Sequence, residues 1–223
     1  MTKIQQSKTI PWIDVHTHLK KTDDDIINIQ NVFPDEYKKL KNYSYASMGI
    51  HPWYINDWEY KFSWLEKHIT KIKVIGEIGL DKICKTPFDC QLEVFEKQLG
   101  LAKKYGKPVI IHCVKAYSEI IQIKKQKFPD QVWVIHAFNE NMQIAEKLLE
   151  LECYFSFGKL IMIDGTKARK SIEILPLDRI FFETDEQECL SIQKVYNMGA
   201  SLKGIDIEAL KERIYSNFVR VFK

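Results

Sequence analysis

Two histidines one residue apart, His16 and His18, end an apolar run in "PWIDVHTHL". Side chains two apart on a strand share a face, so both imidazoles can reach one metal ion. A polar edge of a surface strand explains the same pair, and the HxH spacing alone leaves both readings open. Four more polar residues stand in comparable places. Glu77 interrupts the apolar "KVIGEIGL", His112 follows "VII", His136 follows "VWVI", and Asp185 ends "IFFETD". Each alone is compatible with a structural role, as a solvated charge or a hydrogen-bonded core residue. A carboxylate inside an apolar strand is costly, however, unless it is paired or binds a metal. Taken together, four imidazoles and two carboxylates suit zinc, manganese or magnesium, and one glutamate can bridge two such ions. Asp185 is placed both to ligate a metal and to take a proton from bound water. The pattern points to metal-dependent hydrolysis, with Asp185 and Glu77 as the catalytic carboxylates.

Weaker candidates lie close by in sequence. "GIHPW" puts His51 at the end of an apolar run, either as an ordinary turn or as an imidazole touching the substrate's leaving group or phosphate. Lys115 closes "HCVK", as an exposed lysine or as an anion contact. Asp14, two residues before His16, can hydrogen-bond a ligating histidine. His68 is expected on a helix surface.

These residues need a scaffold that delivers them to one place. Short apolar runs at 11–16, 44–50, 73–79, 108–114, 132–137, 152–157 and 179–184 read as strands buried on both faces, as in parallel sheets. Amphipathic segments at 58–69, 87–105, 140–151 and 207–222 read as helices between them. In 87–105 the stripe is Phe88, Leu92, Phe95, Leu99 and Ala102, with Thr86 as cap, Pro87 in the first turn, and Gly106 and Pro108 as terminators. Strand–helix alternation throughout predicts an α/β fold, a TIM-type (β/α) barrel with about seven clear strands and possible degeneracy. The polar interval between His18 and Met48 shows no evident strand. In such a barrel the candidate residues share the C-terminal mouth, where active sites are built.

Composition narrows the context. The 223 residues are 45% hydrophobic and read as one domain, 1–223. A net charge of +3 is too small to argue for nucleic acid or membrane by itself. Five cysteines without a CxxC spacing fit reduced thiols in the cytoplasm. "MTKIQQSKTI" lacks the apolar core of a signal peptide. No stretch approaches the ~20 apolar residues of a membrane span, so no membrane partner is expected.

The motifs also resemble a known family. "DVHTHL", "GIHPW", "GEIGLD", "QLEVFEKQLGLAKKYGKPVIIHC", "VIHAF", "SFG" and "ETD" occur in the order found in TatD-type metal-dependent hydrolases and span 14–185. The resemblance implies an amidohydrolase-like barrel with two divalent metal ions, Mg, Mn or Zn. It assigns His16, His18, Glu77 and Asp185 to one ion, and Glu77, His112 and His136 to the other, with Glu77 bridging. It makes His51 a substrate contact and implies deoxyribonuclease activity. Beside it, Lys115 is read as a further substrate contact, the substrate as DNA or a small phosphoester, and the protein as a monomer.

The chain also departs from the family pattern. Val114 stands where the family usually has an arginine, and Lys115 follows it. "HAFNEN" replaces a glycine turn, and "EQEC" brings Glu186 and Glu188 after "ETD". The interval between the first two predicted strands is short, as though one βα unit were lost. These changes keep open hydrolysis of a small-molecule amide, lactone or phosphotriester. A non-catalytic metal-binding barrel is a third reading.

Overall fold

In a computed structural model, which describes residues 10–19 and 23–223, the apolar runs become the staves of a barrel. The N-terminal segment read as lacking a signal peptide falls at 1–9, outside the described residues. Strands β1 (Trp12–Thr17), β3 (Ala46–Met48), β4 (Val74–Asp81), β5 (Val109–Val114), β6 (Trp133–Ile135), β7 (Tyr154–Phe157) and β8 (Ile180–Phe182) all lie within two residues of the predicted runs. Val74–Asp81 is buried at every position, as expected of a strand covered on both faces.

One strand is a correction. Ile26–Val32 forms β2, inside the interval where the sequence shows none. Its run is broken by Asn28, Gln30 and Asn31, which disguise it as a loop. Two of these side chains are used structurally. Gln30 Nε2 donates to the Thr17 carbonyl (3.1 Å), and Asn31 Oδ1 accepts from Ser47 Oγ (3.1 Å). Among the described residues no α-helix lies between β1 and β3: residues 18–25 link β1 to β2, and a 3-10 segment, Pro34–Asn42, joins β2 to β3.

Among the described residues, eight parallel strands therefore pair in chain order. The first and last meet at the mouth. A parallel bridge joins Thr17 to Asp185, where His18 N donates to the Asp185 carbonyl (3.2 Å) and Asp185 N to the His16 carbonyl (3.0 Å). The closing seam thus runs through three residues singled out for chemistry or their neighbours.

Helices α1 (Trp58–His68), α2 (Phe88–Lys104), α3 (Tyr117–Lys127), α4 (Met142–Glu150), α5 (Lys167–Ile174), α6 (Ile192–Lys203) and α7 (Ile207–Phe222) cover the outside. On α2, Phe95, Leu99 and Ala102 are fully buried, while Phe88 and Leu92 pack at its edge. Thr86 does not cap α2 as expected; its carbonyl instead accepts from Gln91 Nε2 (2.9 Å). Gly106, with φ +60°, ends that segment. His68 is not a surface residue: it is buried against Trp64 and Tyr37, with Nδ1 2.9 Å from the Trp64 carbonyl. No helix among the described residues is long and apolar enough to cross a membrane.

Candidate metal centre

Glu77 sits midway along β4, with its side chain only 6% exposed, and each carboxylate oxygen faces a different group of histidines. Oε1 lies 2.7 Å from His112 Nδ1, 2.8 Å from His136 Nε2 and 3.5 Å from His51 Nε2. Oε2 lies 3.3 Å from His16 Nε2 and 3.6 Å from His18 Nε2. Asp185 joins that second group, its Oδ1 3.7 Å from His16 Nε2 and 3.6 Å from His18 Nε2. The strand ends thus bring together all six residues expected to bind metal, with His51 beside them. Potential ligand atoms of three triplets fall within 4.8 Å of one another: His16, His18 and Asp185; His16, Glu77 and His136; His51, Glu77 and His112.

Backbone packing makes this approach possible. Gly79 has φ +158°, and a Cβ there would lie 1.9 Å from the His112 carbonyl oxygen. Only glycine lets β4 come this close to β5, so "GEIG" brings the glutamate strand against the histidine strand. Asp185, Ala137 and Lys115 adopt left-handed backbone conformations just beyond strand ends.

The charges explain one another. Burial pushes Glu77 up, but His136, His112 and His16 outweigh it and hold its carboxyl well below the usual range. Burial pushes His136 down, but Glu77 and Glu183 reverse this and raise it well above an ordinary imidazole. His18 is also raised: Glu77, Asp185 and Glu186 overcome its burial. His51 is lowered by burial, reinforced by His112 and His136. Its Nδ1 accepts from Trp53 N (3.1 Å), so the neutral ring carries its proton on Nε2, facing the cleft.

Residues that the sequence reading passed over hold this centre in shape. Glu183 Oε1 accepts from Ala137 N (2.9 Å) and lies 3.2 Å from His136 Nδ1, while Oε2 is bonded by Ser156 Oγ. Asp81 Oδ2 lies 3.3 Å from His112 Nε2 and accepts from Trp53 Nε1 (2.6 Å). His136 and His112 therefore each have a carboxylate on the far nitrogen, the usual way to fix the orientation of a metal-binding imidazole. Asn31, on the missed strand β2, accepts from Glu77 N (3.0 Å).

Two buried glutamines on α2, seven residues apart, fix the loops. Gln98 accepts from Ile50 N (2.7 Å) and donates to its carbonyl (3.1 Å), beside His51. Gln91 does the same for Asp81 (2.8 and 2.9 Å). Leaving such buried groups unpaired costs about 1–3 kcal/mol each. Two amides on a core-facing helical stripe were the available sequence signal.

The remaining candidates divide. Asp14 is bonded just past the last strand: Oδ1 accepts from Thr184 N (3.1 Å) and Oδ2 from Thr184 Oγ1 (2.6 Å), anchoring the segment that carries Asp185. Lys115 is exposed and is not among the residues that line the cleft. Lys159, just after "SFG", lines the cavity beyond Asp185 instead. Glu186 lines the cleft, with Oε1 4.0 Å from His18 Nδ1.

The donor set fits divalent ions. Imidazoles and carboxylates converge, and both ring nitrogens of fully buried His16 lack a hydrogen-bond partner among the described residues. A parallel barrel with these groups at its mouth defines a metal-dependent hydrolase. A family model described as TatD related DNase matches residues 29–223, and the chain belongs to that family. It is 29% identical over 200 residues to the uncharacterized metal-dependent hydrolase YabD of Bacillus subtilis, covering 82% of this chain and 78% of that one. Similarity to the human 3′-5′ RNA nuclease TATDN2 is 32% over 151 residues, 63% of this chain and 20% of that protein. The crystal structure of the TatD homologue YjjV from Escherichia coli superposes with a TM-score of 0.84 at 23% identity, covering 96% and 98% of the two chains.

Proposed function

We propose that this chain is a deoxyribonuclease of the TatD type, hydrolysing phosphodiester bonds with two divalent ions. His16, His18, Glu77 and Asp185 would hold one; Glu77, His112 and His136 would hold the other. Bound there, the ions would supply Lewis-acid stabilisation of the phosphoryl oxygens and an acidified water. The single observation that carries this reading is the division of Glu77, one oxygen toward each group of histidines.

The chain's own groups supply the rest. Asp185, with its side chain 34% exposed, is open to solvent on the cleft side and takes the proton from the attacking water. His51 directs its Nε2–H at a substrate oxygen. Asp81 and Glu183 hold His112 and His136 in register. Lys159, lining the neighbouring cavity, provides a cation near the substrate's phosphates in place of the arginine replaced by Val114. Five free cysteines support a reducing compartment, the cytoplasm.

Purified protein with Mn²⁺ or Mg²⁺ should degrade short single-stranded DNA, and Asp185→Ala should lower the rate by a factor of about 10³ or more. Cleavage that survives this substitution, or none with any divalent ion, contradicts the proposal. Glu186 at the cleft wall favours the competing reading, a small uncharged ester or amide substrate, because it repels phosphate. Turnover of such esters without turnover of oligonucleotides would establish that alternative.

A further inference from the structure

Beside the metal cleft, and sharing part of its wall, lies a second cavity of about 200 Å³. Phe33, His51 and Tyr54 line both spaces, and Pro34, Asp35, Gly49, Ile50 and Lys61 complete the side cavity. Its walls are mainly apolar and aromatic. The Phe33 and Tyr54 rings meet edge to face, centroids 5.5 Å apart at 86°, forming a right-angled corner. That corner touches both halves of the metal centre. Phe33 is 5.9 Å from the His18 ring, and Tyr54 is 5.7 Å from the His51 ring.

Tyr54 is 49% exposed and neighbouring Trp53 is 53% exposed, yet both are held in place. Trp53 Nε1 donates to buried Asp81, Tyr54 N donates to the His51 carbonyl (2.9 Å), and Lys61 Nζ donates to the Tyr54 carbonyl (2.7 Å). Large rings fixed in solvent at the rim of a cleft are stacking platforms for flat ligands. Charge selects the ligand further. Lys61 is engaged with a backbone carbonyl, and the carboxylate on this wall, Asp35, repels phosphate and accepts N–H groups. A neutral, planar group bearing N–H donors fits this cavity, and a second phosphate does not.

Building on the nuclease reading, we infer that Phe33 and Tyr54 hold the unstacked base of the nucleotide next to the scissile phosphodiester. A base can occupy this corner only after leaving its stack and its pairing partner, so the substrate end must be unpaired.

The test compares two single-stranded DNA oligonucleotides of one sequence, assayed with Mn²⁺. One is intact; the other carries tetrahydrofuran abasic residues at both terminal positions of each end. Wild-type protein should cut the abasic ends at least about tenfold more slowly in kcat/KM. In Tyr54→Ala, and in the milder Phe33→Leu, that difference should shrink to less than about threefold, because the partner ring is gone. Equal cleavage of intact and abasic ends by the wild type overturns the subsite and leaves the nuclease reading standing. A tenfold difference that persists in both variants also overturns it. Cleavage of neither oligonucleotide overturns the nuclease reading and the subsite together.

Discussion

The two sides of Glu77 are built differently. Toward β5 and β6, its Oε1 lies 2.7 and 2.8 Å from His112 and His136, and a second carboxylate stands behind each ring. Toward β1 and the seam, its Oε2 is 3.3 and 3.6 Å from His16 and His18. Neither of the buried nitrogens of His16 has a hydrogen-bond partner among the described residues. The first side satisfies itself by sharing protons between imidazole and carboxylate. On the second, ligand atoms of His16, His18 and Asp185 converge within 4.8 Å of one another, the place where the proposed ion would be held. One side is therefore a rigid wall, and the other is a socket.

Substitutions behind the wall sharpen this contrast most. Glu183→Gln and Asp81→Asn keep the shape of each side chain but remove the charge that orients His136 and His112. Each should lower metal affinity or activity about tenfold to a hundredfold, measured by metal titration and initial rates. Wild-type values in both variants would show that the wall does not depend on its backing carboxylates.

A smaller effect concerns pH. The folded-state pKa of His136 is raised, so its pairing stabilises the metal-free protein fully below the ordinary value of 6.5 and is lost as pH rises through the raised value. Glu77 is depressed, so its contribution is present above the ordinary value of 4.5 and is lost as pH falls toward the depressed value. The Tm of metal-free protein should therefore decline on the alkaline side of this window. With Mn²⁺ bound the decline should vanish, because the ion replaces the shared proton. Parallel Tm–pH curves with and without metal would break the comparison.

Much of this centre was legible in the sequence because each expected ligand ends or interrupts an apolar run. His112 and His136 stand out against "VII" and "VWVI" just as the fold uses them. The strand β2 was not legible, since Asn28, Gln30 and Asn31 break its pattern and only a 3-10 segment, Pro34–Asn42, follows it. Helix α6 hides for another reason. Gly199 weakens its propensity but is required, because a Cβ there would lie 2.4 Å from Phe182 Cζ. Asp81, Glu183, Gln91 and Gln98 were silent because their roles lie in contacts across the fold. Glu183 meets His136 from 47 residues away, and no local spacing encodes that meeting. Lys115 is read from the sequence as an exposed lysine or an anion contact; it is exposed and is not among the residues lining the cleft.

The central claim is that Glu77 serves two ions, one on each side. Native mass spectrometry after Mn²⁺ saturation, on wild type, His16→Ala and His112→Ala, tests it most directly. The account predicts two ions per wild-type chain and one in each variant, with the remaining ion on the unaltered side. A single ion in the wild type, or the loss of both ions in both variants, would contradict it.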